Sequence, residues 1–239
     1  MSTKALKLKK NLQSRSCIGT FSKTSDSAFV EAAGHSGLDF IVLDTEHGPA
    51  SWETIHHHVR AAALTPMASI VRVAEVNSHL IGMALDSGAD GVQVPNIANP
   101  DQASRVVTAA RFHPEGARGV CRFVRSARFG ATAKSNYFES ANDALLVLQV
   151  EGVEGVKNID AILSVPGFDV LFVGTYDLSQ SIGLPGEVES PQVLSLVEDI
   201  ATAASSTGKQ LGIFCDTPST LDRYRVLSVP YLAYSVDIS

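Results

Sequence analysis

Residues 40–49 read FIVLDTEHGP, a run of four apolar residues followed at once by two acids and a histidine. The largely apolar run ASIV precedes Arg72, and the apolar runs LLVL and VLFV precede Gln149 and Gly174. Such runs, without polar alternation, are typical of strands buried on both faces of a parallel sheet. In a parallel (β/α)8 barrel all strands end at one mouth, where the active site lies. The sequence therefore predicts that residues more than a hundred positions apart share one pocket.

Eight such runs alternate with amphipathic segments, which predicts an α/β protein, a (β/α)8 TIM barrel forming a single domain over residues 1–239. The length is close to the roughly 250 residues typical of this fold. Residues 1–16 are expected to form an N-terminal helix or arm that covers the barrel floor. The predicted strands are 17–21, 40–44, 68–73, 91–95, 145–150, 170–174, 210–215 and 232–236.

The segments between the strands carry helix signals. Asn99, Ser190 and Thr217 each precede a proline, which predicts a capping side chain followed by proline at the first helical position. Residues 112–142 are too many for a simple loop and, with Arg111, carry five arginines, so a functional role is expected. The sequence stops directly after the eighth strand, and the eighth C-terminal helix is expected to be missing.

Composition and charge argue against several classes of protein. A net charge of −6 disfavours nucleic acid as a partner. The basic N-terminus lacks the apolar core of a signal peptide, and no stretch approaches the roughly 20 apolar residues of a membrane span. The three cysteines are widely spaced and show no metal-finger pattern. We therefore expect a cytoplasmic protein without a nucleic-acid or membrane partner.

Glu151 and Asp177 follow the fifth and sixth predicted strands. Hard divalent cations prefer oxygen ligands and often use only one or two protein carboxylates. Taken singly, Glu151 is also explained as a first-turn acid of the next helix, and Asp177 as the cap of a turn. Their joint position at adjacent strand ends favours a divalent metal site.

Arg72 ends an apolar strand, where a buried guanidinium requires an anion. One candidate is a substrate carboxylate bound through two hydrogen bonds; another is an ion pair with Glu46 or Glu75. The backbone N–H groups of Gly174-Thr175 come just before Asp177 and are a candidate cradle for a carboxylate. We favour contact between Arg72 and the substrate.

His47 is a candidate proton carrier because imidazole titrates near neutral pH. Asp44 and Asp86 are both candidates for the carboxylate that orients it, and an ordinary surface histidine is the alternative. A second histidine cluster, residues 56–58, falls in an expected outer helix, where adjacent side chains point about 100° apart. We expect those three to be solvent-exposed.

Together these stretches resemble a known family. FIVLDTEHGP, SIVRV, DSGADGVQVPNI, GARGVCRFVRSARFG, LQVEGVEGVKNID and FDVLFVGTYDLS occur in the order and spacing of the HpcH/HpaI aldolase family, from about residue 20 to the end. Its members are class II, metal-dependent pyruvate aldolases of the phosphoenolpyruvate/pyruvate barrel superfamily. The resemblance implies an aldehyde-lyase that cleaves a 4-hydroxy-2-oxo acid to pyruvate and an aldehyde through a metal-bound pyruvate enolate, in the catabolism of aromatic or sugar acids.

The resemblance also implies roles for single residues. Glu151 and Asp177 match the positions that hold Mg²⁺, Mn²⁺ or Co²⁺. Arg72 matches the arginine that meets the pyruvate carboxylate and enolate. Gln149 matches a glutamine near the pyruvate oxygen, and the Gly174-Thr175 amides match the carboxylate cradle.

On the aldehyde side, His47 matches the acid/base histidine, with Asp44 or Asp86 as its catalytic partner. In family assemblies some of these contacts cross subunits, and Asp86 is a candidate for such a contact. A homo-oligomer is therefore expected, although loss of the last helix places the usual hexamer in doubt. Tyr176 is bulkier than the residue the family commonly carries there and is expected to reshape the aldehyde pocket.

Other functions remain open. Within the superfamily, the alternatives are a lyase for malyl- or citramalyl-CoA and a 2-oxo acid decarboxylase; a non-catalytic barrel is a third. No lysine is expected at a strand end, which disfavours Schiff-base chemistry. The expected partners are a small 2-oxo acid and an aldehyde.

Overall fold

The computed structural model describes residues 4–239 and shows eight parallel strands closed into a barrel. Each strand pairs with the next along the chain, and β8 pairs with β1. The predicted (β/α)8 barrel is confirmed, and every strand begins and ends within one residue of its predicted position. The strands are β1 (Cys17–Ser22), β2 (Phe40–Asp44), β3 (Ala68–Arg72), β4 (Gly91–Val94), β5 (Leu145–Val150), β6 (Val170–Val173), β7 (Gln210–Cys215) and β8 (Tyr231–Val236).

The described helices are α1 (Lys4–Leu12), α2 (Ser27–His35), α3 (Trp52–Ala63), α4 (Ser78–Asp86), α5 (Pro100–Ala110), α6 (Lys134–Ala141), α7 (Val153–Lys157), α8 (Ile159–Leu163), α9 (Thr175–Ser181), α10 (Pro191–Ser205) and α11 (Pro218–Val226). The predicted caps are confirmed: the side chains of Asn99, Ser190 and Thr217 each accept a hydrogen bond from the backbone three residues later. Residues 112–142 contain α6 and a 3₁₀ helix, Arg125–Gly130.

Helix α1 closes the barrel floor. Leu8 and Leu12 are buried and belong to the same apolar cluster as Phe40 inside the barrel. Residues 1–3 of the predicted arm lie outside the described residues. In the described chain no helix follows β8, and no described helix is long and apolar enough to cross a membrane.

At the strand ends, the barrel interior has a polar half and an aromatic half. Four consecutive strands each contribute one buried polar side chain: Asp44, Arg72, Gln93 and Gln149. The opposite strands contribute aromatic rings that meet edge to face: Phe21, Phe172 and Phe214. Arg72 lies at the boundary, with its guanidinium carbon 4.8 Å from the centroid of the Phe21 ring. The fold thus places the Arg72 guanidinium against apolar aromatic rings, a surrounding of low dielectric constant.

The expectation that all three histidines of α3 are exposed holds only for His57; His56 is half-buried and His58 is buried. His58 is 1% exposed, because it lies three residues after buried Ile55 on the inner face of the helix. Burial lowers the pKa of His58, and the nearby carboxylates of Asp237 and Asp26 only partly oppose this shift.

We expect His58 to make stability depend on pH. Because its pKa is lower in the folded state, the unfolded chain binds a proton first, and the free energy of unfolding decreases as the pH falls below about 6.5. His58→Leu should flatten this dependence by up to about 1.4 kcal/mol per pH unit. Urea unfolding at several pH values measures the slope. His57→Gln, at an exposed position, is the control; an unchanged slope in His58→Leu would contradict the assignment.

Candidate active site

A cavity of about 180 Å³ opens where the strands end. Its lining residues are Phe21, Lys23, His47, Arg72, Gln149, Phe172, Gly174, Thr175, Tyr176, Asp177, Phe214 and Val236. Six of the residues predicted from the sequence meet here: His47, Arg72, Gln149, Gly174, Thr175 and Asp177. A larger groove of about 1220 Å³ lies between α10 and α11 and contains none of the predicted residues.

Arg72 is held by an acid beneath the cavity. Its Nε and Nη2 atoms donate to Oδ1 and Oδ2 of Asp44 at 2.9 and 2.8 Å, and its Nη1 atom lies 3.2 Å from Oε2 of Glu46. Burial alone would raise the pKa of Asp44, but the hydrogen bonds and charge of Arg72 lower it overall. Asp44 also accepts hydrogen bonds from the backbone N–H groups of Glu46 and His47, so both of its oxygens are engaged. Asp44 positions Arg72 and does not bond the His47 imidazole.

Glu151 is buried beside the cavity wall. Its Oε1 atom accepts a hydrogen bond from the backbone N–H of Asn96 at 2.7 Å, and its Oε2 atom accepts one from the Gln149 side chain. A Cβ atom at position 174 would lie 2.6 Å from Glu151 Oε2, so only Gly174 leaves room for the carboxylate. The backbone and the amide together orient this acid.

The carboxylates fit a divalent cation. Burial raises the pKa of Glu151, and the negative charges of Glu46 and Asp177 contribute in the same direction. A cation between these oxygens would relieve the repulsion, and oxygen is the donor that Mg²⁺ and Mn²⁺ prefer. Among residues 4–239 no three or more His, Cys, Asp and Glu side chains are grouped to hold a metal. Glu151 and Asp177 would therefore leave the remaining ligand positions to water and substrate.

His47 and Asp86 lie apart within this chain. The His47 side chain is 57% exposed, and its Nε2 atom lies 3.9 Å from Oε2 of Glu46. Asp86 ends α4, which runs away from the mouth, and accepts a hydrogen bond from Arg118 Nη2 at 2.6 Å. The carboxylate nearest the imidazole is thus Glu46.

The expectation that no lysine lies at a strand end is wrong. Lys23 follows β1 directly and lines the cavity, with its Nζ atom 3.6 Å from Asp44 Oδ2. A lysine at a strand end beside a carboxylate does not by itself indicate a Schiff base. The sequence did contain the signal, since Ser22-Lys23 comes immediately after the predicted strand 17–21.

Gln93 and Tyr176 also fix the geometry of the site through hydrogen bonds that were not predicted from the sequence. Gln93 donates its side-chain N–H to Oε1 of Gln149, which directs the Gln149 amide towards the buried acid. Tyr176 donates its hydroxyl hydrogen to Asp216, and its ring packs against Phe214. The bond to Asp216 raises the pKa of Tyr176 to about 12. The sequence did contain a signal for the hydrogen bonds that link Gln93, Gln149 and Glu151, since Gln93 is the one polar residue in the strand sequence GVQV.

A protein-family model described as HpcH/HpaI aldolase/citrate lyase matches residues 17–237. The chain belongs to this family. The match begins at β1 and ends directly after β8, so it includes every strand and every residue of the cavity. The resemblance found in the sequence is confirmed.

Named relatives agree with this assignment. The 2-keto-3-deoxy-L-rhamnonate aldolase of Klebsiella pneumoniae is 35% identical over 228 residues, 95% of this chain and 85% of the relative. The 2-dehydro-3,6-dideoxy-6-sulfogluconate aldolase of Pseudomonas putida is 31% identical, covering 93% of this chain and 87% of its own. The crystal structure of an HpcH/HpaI aldolase/citrate lyase family protein from Burkholderia cenocepacia has a TM-score of 0.92 at 32% identity, covering 97% of this chain and 93% of its own. Family and relatives support an enzyme, a lyase of the class II aldolase type.

Proposed function

We propose that this aldolase reversibly cleaves a 4-hydroxy-2-oxo acid into pyruvate and an aldehyde. The observation that carries the proposal is the presence in one cavity of Arg72, held by a buried acid, and Asp177, beside the buried carboxylate of Glu151. We propose Mg²⁺, Mn²⁺ or Co²⁺ as the cation, bound through Glu151 and Asp177. The cavity volume of about 180 Å³ favours a small 2-oxo acid over a CoA thioester.

Arg72 stabilises the charge that develops on the substrate. When bound, the divalent cation supplies Lewis-acid polarisation of the substrate's keto oxygen. The Arg72 guanidinium presents fixed positive charge to the oxygen that becomes negative during carbon–carbon cleavage. Its two hydrogen bonds to Asp44 hold it in place before the reaction, so little reorganisation is needed.

The rest of the cavity binds the two ends of the substrate. The backbone N–H of Thr175, at the start of α9, holds the carboxylate, whereas the N–H of Gly174 donates to the Val150 carbonyl at 3.0 Å and is not free for it. The Gln149 amide lies at the pyruvate oxygen. His47 accepts the proton of the 4-hydroxyl group during cleavage and exchanges it with water, since its side chain is open to solvent. Asp86 lies apart from His47 within one chain, so a catalytic role for Asp86 requires contact with the imidazole of another copy and hence a homo-oligomer.

The proposed setting is sugar-acid catabolism in the cytoplasm. The relatives are named for sugar-derived 2-oxo acids, which supports a substrate of that class. All three cysteines are free thiols, which supports a reducing compartment.

Exchange of the pyruvate methyl protons in D₂O, followed by ¹H NMR, tests the proposal. We expect exchange with Mn²⁺ or Mg²⁺ and its loss in EDTA, because removing a methyl proton requires stabilisation of the resulting negative charge. Restoring the metal should restore the exchange. No exchange with any of the three metals would contradict the proposal.

A further inference from the structure

The main chain at Lys23 is anchored at the mouth of the cavity. The carboxylate of Asp237, directly after β8, accepts hydrogen bonds from the Ser22 hydroxyl, from the backbone N–H groups of Lys23 and Thr24, and from the Thr24 hydroxyl, all at 2.8–3.1 Å. These bonds join the two strands that close the barrel. The backbone that carries Lys23 is therefore fixed, and its side chain enters the cavity from a defined position.

The Lys23 ammonium has capacity for another anion. Its Nζ atom is 3.6 Å from Asp44 Oδ2, and no acceptor among the described residues lies within hydrogen-bond distance of it. Asp44 is already engaged by two bonds from Arg72 and by two backbone N–H groups. An ammonium has three donors, so most of its hydrogen-bonding capacity faces the cavity or solvent.

The topology places Lys23 on the side where the aldehyde would lie. In a closed barrel of eight strands in sequential order, β1 lies opposite β5, whose end carries Gln149 and Glu151. It lies next to β2, whose end leads to His47. Lys23 is thus across the mouth from the proposed metal site and beside the proposed acid/base group.

We propose that Lys23 determines specificity by pairing with an anionic group, a carboxylate or phosphate, on the aldehyde half of the substrate. This inference rests on the proposed aldolase function and names the class of aldehyde. A charged aldehyde gives the ammonium a charge-assisted hydrogen bond, whereas a neutral aldehyde leaves it with Asp44 as its one anionic partner among the described residues. Lys23 therefore discriminates between aldehydes of similar size by charge.

Matched aldehydes test the inference in the condensation direction with pyruvate. One pair is succinic semialdehyde and butanal; the other is glyceraldehyde 3-phosphate and glyceraldehyde. We expect the wild type to favour the charged member of a pair, and Lys23→Met to lower the ratio of the two kcat/KM values by about 10- to 100-fold. Lys23→Arg should restore part of the ratio because it keeps the charge. Lys157→Met, at an exposed position on α7, is the matched surface control.

Other results would overturn the inference. An equal loss for both members of each pair would mean that Lys23 acts through Asp44. An unchanged ratio with a raised KM for pyruvate would mean that Lys23 binds the 2-oxo acid. Borohydride trapping of pyruvate on Lys23 would mean that Lys23 forms a Schiff base with pyruvate rather than recognising the charge of the aldehyde. Proton exchange in the wild type is measured separately, so failure of the proposed function is distinguishable from failure of this inference.

Discussion

Arg72→Ala is expected to slow pyruvate proton exchange by about 10³-fold, because it removes the positive charge held in place at the site of the developing negative charge. The same substitution should lower the free energy of unfolding by about 3–5 kcal/mol, since Asp44 is fully buried and would lose its partner. Exchange is measured by ¹H NMR in D₂O at saturating Mn²⁺, and stability by urea unfolding.

Two variants separate the loss of chemistry from the loss of folding. Arg72→Lys keeps one charge but cannot bond both oxygens of Asp44, so it should recover only a small part of the exchange rate. The double variant Arg72→Met with Asp44→Asn removes both buried charges and should be more stable than Arg72→Ala while remaining inactive. A folded Arg72→Ala protein with near wild-type exchange would contradict the role of Arg72.

His47→Ala provides the contrast within the same cavity. Its imidazole is proposed to act on the oxygen of the aldehyde half, so its loss should reduce cleavage more than proton exchange. Equal loss of both activities would mean that His47 also serves the pyruvate half. Comparing His47→Ala with Arg72→Ala therefore tests whether Arg72 serves the pyruvate half of the substrate and His47 the aldehyde half.

The positions of the strands were predictable because local signals agree with the global fold. Each strand is a short apolar run, and the capping residues before the prolines at positions 100, 191 and 218 mark where helices begin. A parallel barrel then brings the strand ends together whatever their separation in the sequence. The convergence of His47, Arg72 and Asp177 on one cavity follows from that topology.

The partners of individual side chains were not predictable, because they depend on geometry across strands. Asp44 is close to His47 in sequence but bonds Arg72 on the adjacent strand, in the register that pairs these two residues. His58 is hidden by helix α3, whose inner face is set by packing. Lys23 reaches the cavity because β1 extends one residue beyond the predicted strand. Sequence patterns indicate which residues meet, whereas packing decides which ones bond.

Glu151→Gln is expected to weaken Mn²⁺ binding by about 100-fold or more and to abolish metal-dependent exchange. The substitution keeps the volume but removes the charge that attracts the cation. In the wild type both oxygens of Glu151 accept hydrogen bonds, from the Asn96 backbone and the Gln149 side chain. A glutamine offers one acceptor oxygen and an NH₂ group that can only donate, so one of these two bonds would be lost. Isothermal titration with Mn²⁺, or the loss of free Mn²⁺ signal in electron paramagnetic resonance, measures affinity without reference to activity.

Glu154→Gln is the matched control, because Glu154 is exposed on α7 only three residues away and should leave Mn²⁺ affinity unchanged. Unaltered Mn²⁺ binding in Glu151→Gln would show that the cation is held elsewhere. Retained binding with lost exchange would assign Glu151 to orienting the Gln149 amide instead. Binding and exchange should fall together, since Asp177 would be the sole remaining carboxylate of the proposed pair.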